Sequence, residues 1–91
     1  MKVSRKVKVK NALGLHARPA TVIARLLQKS KSKVSFTHRK ETINAKSIMS
    51  VLMLAVGKNG QIIITVEGED AEETLKSLIE AFETEFGEES S

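Results

Sequence analysis

Residues 68–86, GEDAEETLKSLIEAFETEF, carry the reading on which the fold turns. Leu75, Leu78, Ile79, Phe82 and Phe86 recur at helical spacing, which predicts a long final helix with one apolar stripe. Asp70 and Glu73, three residues apart and just ahead of that run, read as a capping box. Such a helix is stable only when its stripe is covered, so the remaining chain must supply an apolar surface for it.

That surface is legible upstream. Ile62, Ile64 and Val66 point one way along a strand that follows the Asn59-Gly60 turn. Residues 47–56 are apolar enough for a short helix ended by Gly57, with Val51, Leu54 and Ala55 as its core side. Thr42-Ile43 and Val34 with Phe36 mark two more strands, separated by His38-Arg39-Lys40-Glu41. Ala20, Ile23, Ala24 and Leu27 place a helix over about 17–28. Val3, Val7 and Val9 alternate with Lys6, Lys8 and Lys10, the pattern of a half-buried strand with a basic outer face. The order is strand–helix–strand–strand–helix–strand–helix, and the economical packing is one sheet with helices on one side. A ferredoxin-like fold begins with the same order, and periodicity alone does not separate the two. The long extra helix at the end and the brevity of the middle one favour the first.

Ninety-one residues make one domain, expected over residues 1–91, with one modest core. The absence of cysteine excludes disulfides and thiolate metal sites. The longest apolar run, Val51 to Val56, is far too short to cross a membrane, and residues 1–5 lack the apolar stretch of a signal peptide. A cytoplasmic location is the expectation. The net charge of +4 conceals an uneven distribution: residues 1–46 sum to +12 and residues 47–91 to −8. A basic strand and an acidic helix attracting each other, or an acidic protein partner, accounts for this better than nucleic acid does. No ribonucleoprotein motif is present, and no Tyr or Trp is available to stack on bases.

The chemistry concentrates at Gly14-Leu15-His16-Ala17-Arg18-Pro19-Ala20, where loop becomes helix. The first turn of a helix has free N–H groups and the positive end of the dipole, so it suits an anion. Pro19 fits there because the first turn has no hydrogen bond for it to lose. An imidazole is largely neutral at cell pH, and a neutral ring nitrogen is a nucleophile. Arg18 offers a planar fork for phosphoryl oxygens. By residue type alone, a helix cap and a solvated charge fit as well. Ile48, Met49 and Leu52 are more apolar side chains than a short helix can bury, and they read as an exposed docking patch bordered by Ala20, Thr21 and Arg25. Ser47 reads as the cap of that helix. His38 sits in a basic turn, and no metal site is expected.

The stretch from Gly14 to Ala20 resembles the active-site signature of the HPr family, the histidine-containing phosphocarriers. Asn44-Ala45-Lys46-Ser47-Ile48-Met49 resembles the family's second signature, and the likeness extends from about Val3 to Phe86. The resemblance implies an α+β open-faced β-sandwich, a four-stranded antiparallel sheet covered on one side by three helices. It implies a non-enzymatic carrier of the bacterial phosphotransferase system, phosphorylated by enzyme I on Nδ1 of His16 with Arg18 stabilising the phosphoryl group. The group would pass to sugar-specific IIA domains. It further implies regulatory phosphorylation of Ser47 by an HPr kinase/phosphorylase. A cofactor-free monomer is expected, with a nitrogen-branch carrier or a mainly regulatory protein as the alternative. Ser50 stands where the family usually has Gly, and the basic balance is unusual for it.

Overall fold

The computed structural model describes residues 1–88; the last three residues of the domain expected over 1–91 lie outside them. Four strands, β1 (Lys2–Lys8), β2 (Lys33–His38), β3 (Glu41–Asn44) and β4 (Gln61–Glu67), form one antiparallel sheet in the order β1-β4-β2-β3. Three helices, α1 (Ala17–Leu27), α2 (Ile48–Leu54) and α3 (Ala71–Glu83), interleave with them in the expected order. The fold is the open-faced sandwich.

Register explains the core. Val66 of β4 stands opposite both Val3 of β1 and Val34 of β2, Ile64 opposite Phe36, and Phe36 opposite Ile43 of β3. Because side chains alternate along a strand, these residues share one face of the sheet. Ile62, Ile64 and Val66 are wholly buried there, under Ile23 and Leu27 of α1 and Leu78 and Phe82 of α3. Phe82 meets Phe36 edge-on with ring centroids 5.8 Å apart. Lys2, Ser4, Lys6 and Lys8 point the other way and are exposed, so much of the basic charge lies on the open face. Arg5, on the helix side, lines a groove with Glu72, Glu80 and Glu83 of α3.

Three local expectations are corrected. The helix α2 stops at Leu54: Ala55 turns left-handed (φ 54°), is exposed, and does not belong to the core side, whereas Val56 is buried. The helix α3 ends at Glu83 and does not continue to Phe86. The Thr84 hydroxyl donates back to the Glu80 carbonyl (2.9 Å), and with no glycine at the end Glu85 and Phe86 themselves adopt left-handed angles (φ 54° and 56°). Each such residue costs roughly 1–2 kcal/mol; burial of Phe86, edge-on against Phe82 at 4.8 Å, recovers about 1.5–3 kcal/mol.

Asp70 precedes α3 but makes no side-chain cap. Its carboxylate instead accepts from the Ser32 hydroxyl (2.5 Å), the Lys31 amide (3.0 Å) and the Ser30 hydroxyl (3.3 Å), tying the turn after α1 to the start of α3. The bond from Ser32 and then that from Lys31 outweigh partial desolvation and hold the Asp70 carboxyl below its ordinary value. A carboxyl lowered in the folded state stabilises it above the ordinary carboxylate value, and that contribution is lost as pH falls through the lowered one. Asp70→Asn should therefore lower the melting temperature at neutral pH and flatten its fall on acidification below about pH 4. Parallel melting curves for the two proteins from neutral to strongly acid pH would contradict this.

Candidate functional site

The loop ahead of α1 is built against the end of α2. The Gly14 amide donates to the Asn11 carbonyl (3.0 Å), and Gly14 takes a left-handed angle (φ 68°). A Cβ at Gly14 would run into the Val56 carbonyl and lie 2.7 Å from Gly57 Cα, so only glycine fits this approach. Leu15, itself buried, then donates its amide to the Val56 carbonyl at 2.9 Å. These contacts fix the next residue as the N-cap of α1. That residue is His16, in extended geometry (φ −79°, ψ −167°), and its carbonyl accepts from the Ala20 amide at 3.1 Å. The Ala17 and Arg18 amides stand in the first turn of the helix, and Pro19 fills the third position with no N–H to satisfy.

The His16 side chain is 30% exposed. Nε2 meets the Glu88 carboxylate, 3.1 Å from Oε1 and 2.9 Å from Oε2. Arg18 is 76% exposed and brings Nη1 to 3.8 Å from Oε2. Asn11, buried beneath the loop, donates through Nδ2 to Glu88 Oε1 (2.6 Å) and to the Glu85 carbonyl (2.8 Å). Burial opposes ionisation of Glu88, but the bonds from Asn11 and His16 and the charges of His16 and Arg18 together hold its carboxyl below the ordinary value. The sequence reading brought His16 and Arg18 together and missed Asn11 and Glu88. Neither was accessible to it: Asn11 reads as a loop residue, and Glu88 lies 72 positions from His16 along the chain.

The helix α2 packs beside α1. The Ser47 hydroxyl caps it, accepting from the Ser50 amide at 3.1 Å. Ile48 is exposed, Met49 and Met53 are 67% and 74% exposed, and Leu52 is half-buried. On α1 Arg25 is exposed, and Thr21 is half-buried with its hydroxyl donating to the Ala17 carbonyl. Ala20 departs from expectation. It is 1% exposed and packs in the core, so its side chain offers no docking contact. His38, expected in a basic turn, ends β2 half-buried, with Nδ1 2.9 Å from the Gln61 carbonyl.

A match to the family described as the PTS HPr component phosphorylation site runs over residues 3–84. The chain belongs to the HPr family. It is a phosphocarrier protein of the phosphotransferase system. The phosphocarrier protein HPr of Chlamydia pneumoniae is 48% identical over 80 residues, 88% of this chain and 74% of that one. A crystal structure of HPr from Thermoanaerobacter tengcongensis superposes with a TM-score of 0.92 at 36% identity, covering 96% of this chain and 98% of that chain. A second structure of HPr from that organism, described as a dimer, gives a TM-score of 0.76 at 36% identity over 90% and 94% of the two chains. Among the described residues of this HPr-family chain, no helix is long and apolar enough to cross a membrane.

Proposed function

We propose that His16 takes a phosphoryl group from enzyme I and passes it to sugar-specific IIA domains for sugar uptake, in the cytoplasm and without a cofactor. The observation that carries this reading is the placement of the His16 ring at the N-cap of α1, half-exposed, with Arg18 two residues on. The Ala17 and Arg18 amides and the helix dipole favour the three phosphoryl oxygens at that position. With Nε2 engaged by Glu88, Nδ1 keeps the lone pair that attacks phosphorus. A monomer is the working form, and the domain is the single one of residues 1–91. The exposed apolar end of α2, with Thr21 and Arg25 beside it, is the docking patch, and Ser47 at its edge is the regulatory site for an HPr kinase/phosphorylase. Incubation with phosphoenolpyruvate and enzyme I tests the reading. One phosphoryl group should be added per chain, stable to base and lost in acid. An unchanged mass would reject it.

Arg18 supplies a graded test. Charge in phosphoryl transfer spreads over the equatorial oxygens, so a planar fork stabilises it better than a point charge. A charge-assisted hydrogen bond contributes about 1.5–3 kcal/mol, so Arg18→Ala should slow transfer roughly 10- to 150-fold in both directions. Arg18→Lys should recover part of this. Full recovery in rapid-quench measurements would show that the fork is irrelevant.

A further inference from the structure

The side chain that touches the His16 ring comes from beyond residue 84, where the family match ends. The chain reaches it through three consecutive left-handed residues after α3, Glu85, Phe86 and Gly87. Phe86 is buried against Phe82, and Asn11 holds both the Glu85 carbonyl and Glu88 Oε1. Strained backbone retained by this many contacts is a feature that the surroundings over-determine, and it delivers one carboxylate to one ring nitrogen. The Glu88 side chain is 14% exposed there, well screened from solvent.

We propose that Glu88 is a positioning residue for His16: its carboxylate keeps the hydrogen on Nε2 and fixes the ring so that the Nδ1 lone pair is presented for phosphoryl transfer. This rests on the carrier reading above. An ionised carboxylate can only accept, so contact with both its oxygens requires hydrogen on Nε2. A neutral imidazole has one N–H, so Nδ1 is then the nucleophile. As the Nδ1–phosphorus bond forms, the bond from phosphorus to the donor's leaving atom breaks and its electron pair stays on the donor. No proton leaves the ring, and the positive charge that develops on it faces the Glu88 carboxylate. Onward transfer runs the same step in reverse. His38 is the internal contrast: a carbonyl also only accepts, so the Gln61 contact places hydrogen on Nδ1 of that ring.

Ring-nitrogen NMR of the full chain, above the pH at which imidazoles titrate, tests the assignment together with phosphoryl uptake. The wild type should show His16 as the Nε2–H form and His38 as the Nδ1–H form. Glu88→Ala should shift His16 to a mixture, leave His38 unchanged, and slow uptake from enzyme I roughly tenfold. Glu88→Gln, whose amide oxygen still accepts, should keep the tautomer and recover part of the rate. With phosphoramidate as a small-molecule donor, phosphorus should appear on His16 Nδ1 in the wild type and on both nitrogens in Glu88→Ala. Identical tautomers in wild type and Glu88→Ala, or a changed tautomer with an unchanged rate and site of labelling, would overturn the proposal. Failure of the carrier reading is distinct: enzyme I would leave the wild type unlabelled, while the nitrogen labelled by phosphoramidate would still decide the role of Glu88.

Discussion

Replacing His16 with alanine should leave a folded protein that accepts no phosphoryl group from enzyme I. The effect on transfer is total because the other imidazole, His38, is the last residue of β2, its Nδ1 on the Gln61 carbonyl and away from the start of α1. The effect on stability is small because the His16 ring is half-exposed and fills no part of the core. What is lost is one partly exposed hydrogen bond to Glu88, worth about 1 kcal/mol or less, and Asn11 still holds the carboxylate. For a domain of this size that is a drop of a few degrees in melting temperature. Acid-labile label retained by His16→Ala would sink the assignment. A large loss of stability would show that the His16–Glu88 contact holds the fold together.

A negative charge at Ser47 should block exchange with enzyme I while the fold persists. Ser47 already caps α2 through the Ser50 amide, and Asp serves a cap as well as Ser does, so Ser47→Asp should melt close to the wild type. A phosphoserine adds about −1.5 to −2 charge, which the helix start tolerates. The cost falls on docking. The charge would stand next to Ile48 and Met49, exposed apolar side chains in the first turn of α2 that a partner would cover. Desolvating an unpaired charge there, with like charge on an acidic partner, costs about 2–3 kcal/mol or more, roughly 30- to 150-fold in kcat/KM. Ser47→Ala should give the opposite pattern, with near-normal transfer and a cap loss of about 1 kcal/mol in stability. Equal kcat/KM for wild type, Ser47→Ala and Ser47→Asp would mean that Ser47 is a cap alone and that docking occurs elsewhere.

Most of the architecture was legible because each element carries its own period. Ile62, Ile64 and Val66 alternate as a central strand must, and Leu75, Leu78 and Phe82 recur as a packed helix must. The strand order was not legible, since nothing in β4 says that it inserts between β1 and β2. The helix ends failed for local reasons. Asp70 reads as a cap, yet three donors from the turn after α1 compete for its carboxylate and win. Phe86 continues the apolar period of α3 but reaches the core from a left-handed turn instead. At the site, His16, Arg18 and Ser47 are adjacent to recognisable signals. Ala20 reads as a border of the docking patch beside Thr21, but it belongs to the buried stripe of α1 with Ile23 and Leu27. Asn11 and Glu88 were invisible, because only the folded chain brings residues 74 and 77 positions apart onto one amide.

A phosphoryl group held on His16 in transit can be followed in a chase. The protein is loaded with labelled phosphoenolpyruvate and enzyme I, freed of both, and mixed with a IIA domain. Label should start on Nδ1 of His16 and leave for the IIA domain, more slowly with Arg18→Ala and not at all with His16→Ala, which never loads. Label that stays on the chain, or that survives acid on a residue other than His16, would contradict it.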